Sequence, residues 1–203
     1  RGLIESDRVQ QRMAGLREEL QGKRVVLSVE RLDYTKGPLA KLEAFERLLE
    51  DNPELHGKVT FVDIVTPAAR GMKIYEEIQQ QVENAVGRIN GRFAKLDWTP
   101  VRFFLRSLPF EDVLAYYAVA DVGWITPLRD GLNLVAKEYA AVQGLTQGKG
   151  VLVLSEFAAA AVALQAALRT NPYDDFDLAH QLYRAPPLRH AAPPLRLPPS
   201  PTS

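Results

Sequence analysis

Residues 23–38 read KRVVLSVERLDYTKGP: an apolar β-branched run, a charged loop, and a Gly-Pro pair that opens the next segment. The run over 23–29 has the continuous apolar character of a strand covered on both faces. Pro38 presets the backbone angle of a first helical turn, and Leu42, Phe45, Leu48 and Leu49 then recur at helical spacing. The same unit returns along the chain. A strand over 58–65 precedes a helix over 72–89 with Ile74, Ile78, Val82, Val86 and Ile89 on one stripe. Strands over 101–105, 122–126 and 151–155 lead into helices over 110–119, 132–143 and the Ala-rich 158–168. Successive strand-helix alternation predicts an α/β fold: a mostly parallel sheet with helices on both faces. Such sheets bind ligands at the carboxyl ends of their strands, which directs attention to the loops that follow each one.

Composition narrows the function classes. Over 203 residues, 46% hydrophobic and 25% charged content excludes a chain that is disordered, collagenous or coiled-coil throughout. Lys and Arg number 25, as do Asp and Glu, and this zero balance removes any bulk electrostatic argument for a nucleic-acid or membrane partner. The absence of cysteine excludes disulfides, thiolate metal ligands and Cys nucleophiles. No apolar run approaches the ~18 residues that span a bilayer, and no charged-then-apolar signal segment opens the chain, so a cytoplasmic location is expected. Residues 1–22 are expected to form a lead-in helix. Prolines at 186, 187, 193, 194, 198, 199 and 201 mark the end of the chain, and 176–203 is expected to be a disordered Pro-rich tail without helix.

Among the loops, 30–37 (ERLDYTKG) lacks the G-x-G-x-x-G of a dinucleotide turn. It places Arg31 and Lys36 at a strand end beside a helix N-terminus, a combination suited to a diphosphate. The plainer account makes both solvated charges paired with Glu30 and Asp33, and the pattern leaves the two evenly matched. The stretch 126–138 (TPLRDGLNLVAKE) carries the turn signal Asp130-Gly131 before a helix starting near Leu132. The amides of Asn133, Leu134 and Val135 would then be free for an anion, with Glu138 one turn further on. Alternatively Asp130 is an N-cap and Glu138 a surface residue. Arg70, in PAARG (67–71), follows a strand and precedes a helix, where a lone arginine is more often a surface charge. In SEFAAAAVAL (155–164) small residues permit close backbone approach. His56, His180 and His190 have no metal-site or triad pattern around them, and no metal or cofactor is expected. Trp98 and Trp124 are read as packing residues.

Together, VERLDYTKG (29–37), GRINGRF (87–93), DWTPV (97–101), TPLRDGLNLVAKEY (126–139) and VLVLSEFA (151–158) resemble the C-terminal, donor-binding half of the retaining glucosyltransferases that include trehalose-phosphate and glucosylglycerol-phosphate synthases. The resemblance covers roughly residues 20–173. FFLRSLPFEDV (103–113), the GLNLV form of the helix motif and the insertion GLTQGKG (144–150) resemble the glucosylglycerol-phosphate branch more closely.

The resemblance implies a Rossmann-like parallel sheet flanked by helices, the C-terminal half of a GT-B architecture, with residues 23–175 as the nucleotide-sugar-binding domain. Arg31 and Lys36 would meet the donor diphosphate and stabilise the charge developing on the leaving group, without a metal. Asp130 would hold glucose hydroxyls, the amides of Asn133, Leu134 and Val135 would meet phosphate, Glu138 the ribose, and Arg70 the acceptor's phosphate. The implied partners are a nucleotide sugar, ADP-glucose or UDP-glucose, and a phosphorylated acceptor. The first-choice reaction is glucosyl transfer with retention from ADP-glucose to sn-glycerol 3-phosphate, for compatible-solute synthesis. The alternatives are trehalose-6-phosphate synthesis from UDP-glucose and glucose 6-phosphate, and a non-catalytic remnant that at most binds a nucleotide sugar. Ala159 and Ala163 stand where the family carries glycine and glutamate. An acceptor-binding domain is expected to be missing ahead of residue 1, leaving the isolated chain inactive, and the tail is expected to reflect a frame change or truncation.

Overall fold

A computed structural model describes residues 2–68 and 73–189. Helix α1 (Asp7–Glu19) packs ahead of the first strand, and then β1 (Arg24–Arg31), α2 (Pro38–Asp51), β2 (Val59–Thr66), α3 (Lys73–Phe93), β3 (Val101–Leu105), α4 (Phe110–Val119), β4 (Val122–Ile125), α5 (Leu134–Leu145) and β5 (Val151–Ser155) alternate in order. A short α6 (Ala160–Ala163), β6 (Leu168–Thr170), α7 (Asp175–Arg184) and the turn α8 (Pro186–Arg189) follow. All strand pairs are parallel, in the order β3-β2-β1-β4-β5-β6. This is the doubly wound Rossmann-like sheet, and its strand order reverses between β1 and β4.

Alternate strand residues serve two cores, which is why the strands read as continuous apolar runs. Val25 and Leu27 of β1 face one core with α1, α4 and α5, whereas Val26 faces the other with α2, α3 and α7. Trp124 sits on the second face against Phe61, ring centroids 5.2 Å apart. Trp98 is buried and donates to the Val59 carbonyl at 2.8 Å, so both tryptophans pack. His56 lies against Phe93 and Trp98 and contacts the Leu49 carbonyl, a structural setting.

Four expectations require correction. The helix expected over 158–168 shrinks to Ala160–Ala163, because the chain must turn to run β6 beside β5. Ile74 is half exposed and leaves the α3 stripe, which is buried at Val82, Ala85 and Ile89. The helix placed from Leu132 starts two residues later, at Leu134. Finally, the tail expected from 176 is helical as far as Arg189. Asp174 caps α7 by accepting from the amides of Phe176 and Asp177, and Leu178 and Leu182, one turn apart, bury against α2. Pro186 and Pro187 open α8, where their missing N–H groups cost nothing, and Leu188 is fully buried. The rest of the tail, 190–203, lies outside the described residues. Among the described residues no helix is long and apolar enough to cross a membrane.

Gly123 lets α5 close on β4. A Cβ there would stand 2.8 Å from two ring carbons of the buried Tyr139. Gly123→Ala is therefore expected to cost ~1–3 kcal/mol and to lower the thermal midpoint by roughly 2–12 °C. Gly87→Ala, in open space on α3, should instead add about 0.5–1 kcal/mol; circular dichroism melts compare the two.

Candidate functional site

The sheet geometry selects one place. Where β1 and β4 diverge, their carboxyl ends and following loops enclose a cleft of about 530 Å³. It is lined by Ser28 to Arg31 and Lys36 on the β1 side, and by Pro127, Asp130 and Leu132 to Val135 on the β4 side. A second cavity of similar size, about 510 Å³ between α5 and residues 163–167, is lined by no charged side chain.

Backbone hydrogen bonds lock the loops. The Thr35 carbonyl accepts from the amides of Leu128 at 2.7 Å and Arg129 at 3.3 Å, and the Asp130 carbonyl accepts from Ala159 at 3.0 Å. Gly37 joins a short 3-10 turn to α2 at φ 63°, a left-handed angle that glycine adopts without steric cost. Ala159, by contrast, has right-handed helical angles and is exposed, so its methyl meets no conformational penalty.

Lys36 does not pair with Glu30 or Asp33. Its ammonium donates to Asp130 Oδ2 at 2.6 Å. Asp33 instead accepts from the Thr35 amide and hydroxyl and lies 3.9 Å from Arg31. Glu30 turns inward to Lys41. The Asp130 carboxylate also accepts from the amides of Leu132 (3.2 Å) and Asn133 (3.0 Å) and from the Asn133 side chain (3.2 Å). Burial resists its ionisation, but the Lys36 hydrogen bond and the two amides outweigh that and hold it below the usual carboxylate range.

The helix cap is Asn133, not Asp130. Its side chain accepts from the Ala136 amide at 2.9 Å while its backbone takes a left-handed φ of 41°. The expected row of free amides is thereby shortened: the Asn133 amide is committed to Asp130, which leaves Leu134 and Val135, both cleft-lining residues, in the first turn of α5. Glu138, one turn on, is outside the cleft lining and accepts from the Tyr117 hydroxyl at 3.2 Å. Burial, then the Glu138 charge, pushes the Tyr117 hydroxyl up, so it remains a donor. Arg70 lies outside the described residues.

Sequence reading missed Ser28, Pro127 and Leu132 as lining residues, and it missed Lys41 and Asp63 beneath the cleft. The signal for Lys41 was available: a lysine on an otherwise apolar helical stripe.

A cleft lined by two cations and two carboxylates at the switch point of a doubly wound parallel sheet, beside a helix N-terminus, puts the chain in the class of Rossmann-like α/β domains. The model of glycosyltransferase family 20 matches residues 2–191, and the chain belongs to that family. Glucosylglycerol-phosphate synthase of Pseudomonas anguilliseptica is 67% identical over 155 residues, 76% of this chain and 20% of that protein. The α,α-trehalose-phosphate synthase (UDP-forming) of Burkholderia xenovorans, in complex with glucose-6-phosphate, superposes with a TM-score of 0.85 at 42% identity, covering 91% of this chain and 40% of that one. An E. coli trehalose-6-phosphate structure bound with UDP-2-fluoro glucose gives 0.81 at 43% identity over 86% and 39%. The chain thus spans about one-fifth to two-fifths of the length of these relatives. The sheet is the C-terminal-half domain of the GT-B architecture.

Asn133→Ala removes the α5 cap and retains the left-handed strain. It should cost about 1–2 kcal/mol in urea unfolding, and Asn133→Gly much less. Because Asp130 is held below its ordinary 3.8, the stability it adds is present above that pH and lost as pH falls through its lower folded value. Asp130→Asn should therefore flatten the acid limb of stability below about pH 4, measured by urea titration.

Proposed function

We propose that the chain is the donor-binding part of a retaining glucosyltransferase that moves glucose from ADP-glucose to sn-glycerol 3-phosphate, giving a glucosylglycerol phosphate for compatible-solute synthesis. The observation that carries this reading is the pairing of Arg31 and Lys36 with the α5 N-terminus across the switch-point cleft. The 67% identity to a glucosylglycerol-phosphate synthase supports the acceptor class. A trehalose-6-phosphate synthase using UDP-glucose and glucose 6-phosphate is the second reading, favoured by the ligands named for the Burkholderia and E. coli structures.

In the proposed reaction the bond between the anomeric carbon and the β-phosphate oxygen breaks, and the acceptor hydroxyl forms its bond on the same face. Its proton passes to the leaving phosphate. Arg31 and Lys36 stabilise the negative charge that accumulates there, the term in which fixed cations contribute most. The amides of Leu134 and Val135 add to it. Every lone-pair direction of Asp130 is engaged by Lys36, two amides and Asn133. Lys36 turning to the diphosphate would release Oδ2 for the glucose hydroxyls, coupling sugar recognition to phosphate binding. Glu138, steadied by Tyr117, is assigned to the ribose, and Arg70 to the acceptor phosphate.

Calorimetry with ADP-glucose and UDP-glucose tests the reading. Removing two charge-assisted contacts in Arg31→Ala/Lys36→Ala should weaken binding by about a hundredfold or more. No heat with either sugar nucleotide would favour the non-catalytic remnant, and ADP-glucose binding no better than ADP would indicate a generic nucleotide domain. Glucosyl transfer to glycerol 3-phosphate rather than glucose 6-phosphate distinguishes the two acceptor readings.

A further inference from the structure

Beneath the cleft lies an ionisable cluster that the proposed donor contacts leave unused. Lys41 on α2 is 1% exposed, and its ammonium donates to Ser28 Oγ at 2.7 Å and to Glu30 Oε2. Asp63 on β2 is in register with Ser28 and completely buried. Neither Asp63 oxygen has a partner in hydrogen-bonding geometry, and Glu30 Oε1 has none. Ser28 and Glu30 also line the cleft, so the cluster forms its floor.

The charges do not balance. Two carboxylates share one ammonium in an apolar setting, and on its far side Asp63 is in register with Phe103 of β3. An unpaired carboxylate in such a place is strongly disfavoured, and one of the two keeps its proton. Lys41 is bonded to Glu30, which leaves the proton to Asp63. Burial, and then repulsion from Glu30, pushes Asp63 up to about 7, against the pull of Lys41 and the nearby Ser28 hydroxyl. Glu30 is raised as well, chiefly by burial and slightly by Asp33, although Lys41 and Lys36 both favour its charge.

We propose that Glu30, Lys41 and Asp63 are a buried part of the anion site: the two carboxyl groups share one proton around neutrality, and while Asp63 holds it the cluster adds no net negative charge beneath Arg31 and Lys36, where a diphosphate would bind. When Asp63 ionises, a negative charge appears one strand from the cleft floor, inside the protein where salt screens it little. Affinity for an anionic ligand then falls as pH rises through neutrality. The proposal rests on the reading of the cleft as a sugar-nucleotide site.

The test combines two measurements on the whole chain. UDP-glucose and ADP-glucose, whose diphosphate diesters do not titrate near neutral pH, are bound calorimetrically between about pH 6 and pH 8.5, and the Asp63 carboxyl carbon is followed by NMR. The dissociation constant should rise roughly tenfold over this range, the effect of one charge about 10 Å away at an effective dielectric near 20. It should stay flat in Asp63→Asn, with the Asp63 signal titrating near neutrality. A carboxyl midpoint below about pH 5, or the same pH dependence in Asp63→Asn, overturns the proposal. Absence of binding by either sugar nucleotide at every pH overturns the donor-site reading, and the coupling falls with it.

Discussion

The ion pair between Lys36 and Asp130 holds the site together across the sheet's point of reversal. Its partners are 94 positions apart and belong to loops that follow β1 and β4. They meet because those strands are neighbours in a sheet whose order runs outward on both sides. Around the pair, the Thr35 carbonyl ties the second loop to the first, and the Asp130 carbonyl ties in the loop after β5. A cation held at 2.6 Å by a carboxylate with three further donors is preorganised. The proposed phosphate contact would require it only to exchange one partner, without being ordered from solution.

That preorganisation is supported by costly features. Asn133 adopts a left-handed backbone angle to place both its cap and its side chain. Lys41 is buried with Glu30 rather than solvated, and Asp63 lies under the floor with no hydrogen-bond partner on either oxygen. Buried polar clusters of this kind are weak contributors to stability, and their concentration under one cleft is what a binding site would explain. The alanines at 159 and 163 carry no comparable strain: the first occupies ordinary helical space and the second ends a single helical turn.

The alternation of strands and helices was legible from the chain because each strand is buried on both faces and each major helix shows an apolar stripe. Boundaries for β3, α4 and β5 follow directly from composition. The three-residue β6 was invisible, since an edge strand that short has no periodicity and forms only where β5 offers a partner. The helix α7 was masked by the proline-rich context, although the Asp174 cap and the Leu178–Leu182 spacing were present in the letters. Proline is excluded from helix interiors and not from helix starts, and at 186 and 187 it begins a turn.

For the site, the residue types at each strand end, Arg31 and Lys36 in one loop and Asp130 and Asn133 in another, were determined by local sequence, because loop chemistry and turn signals are short-range. Which charge pairs with which was decided by tertiary structure. Glu30 and Lys36 are six residues apart in the chain, yet one turns into the core toward Lys41 while the other crosses to Asp130. Side chains on opposite sides of a strand end enter different environments, and only the sheet's strand order brings residue 36 to residue 130 and residue 63 beneath the cleft.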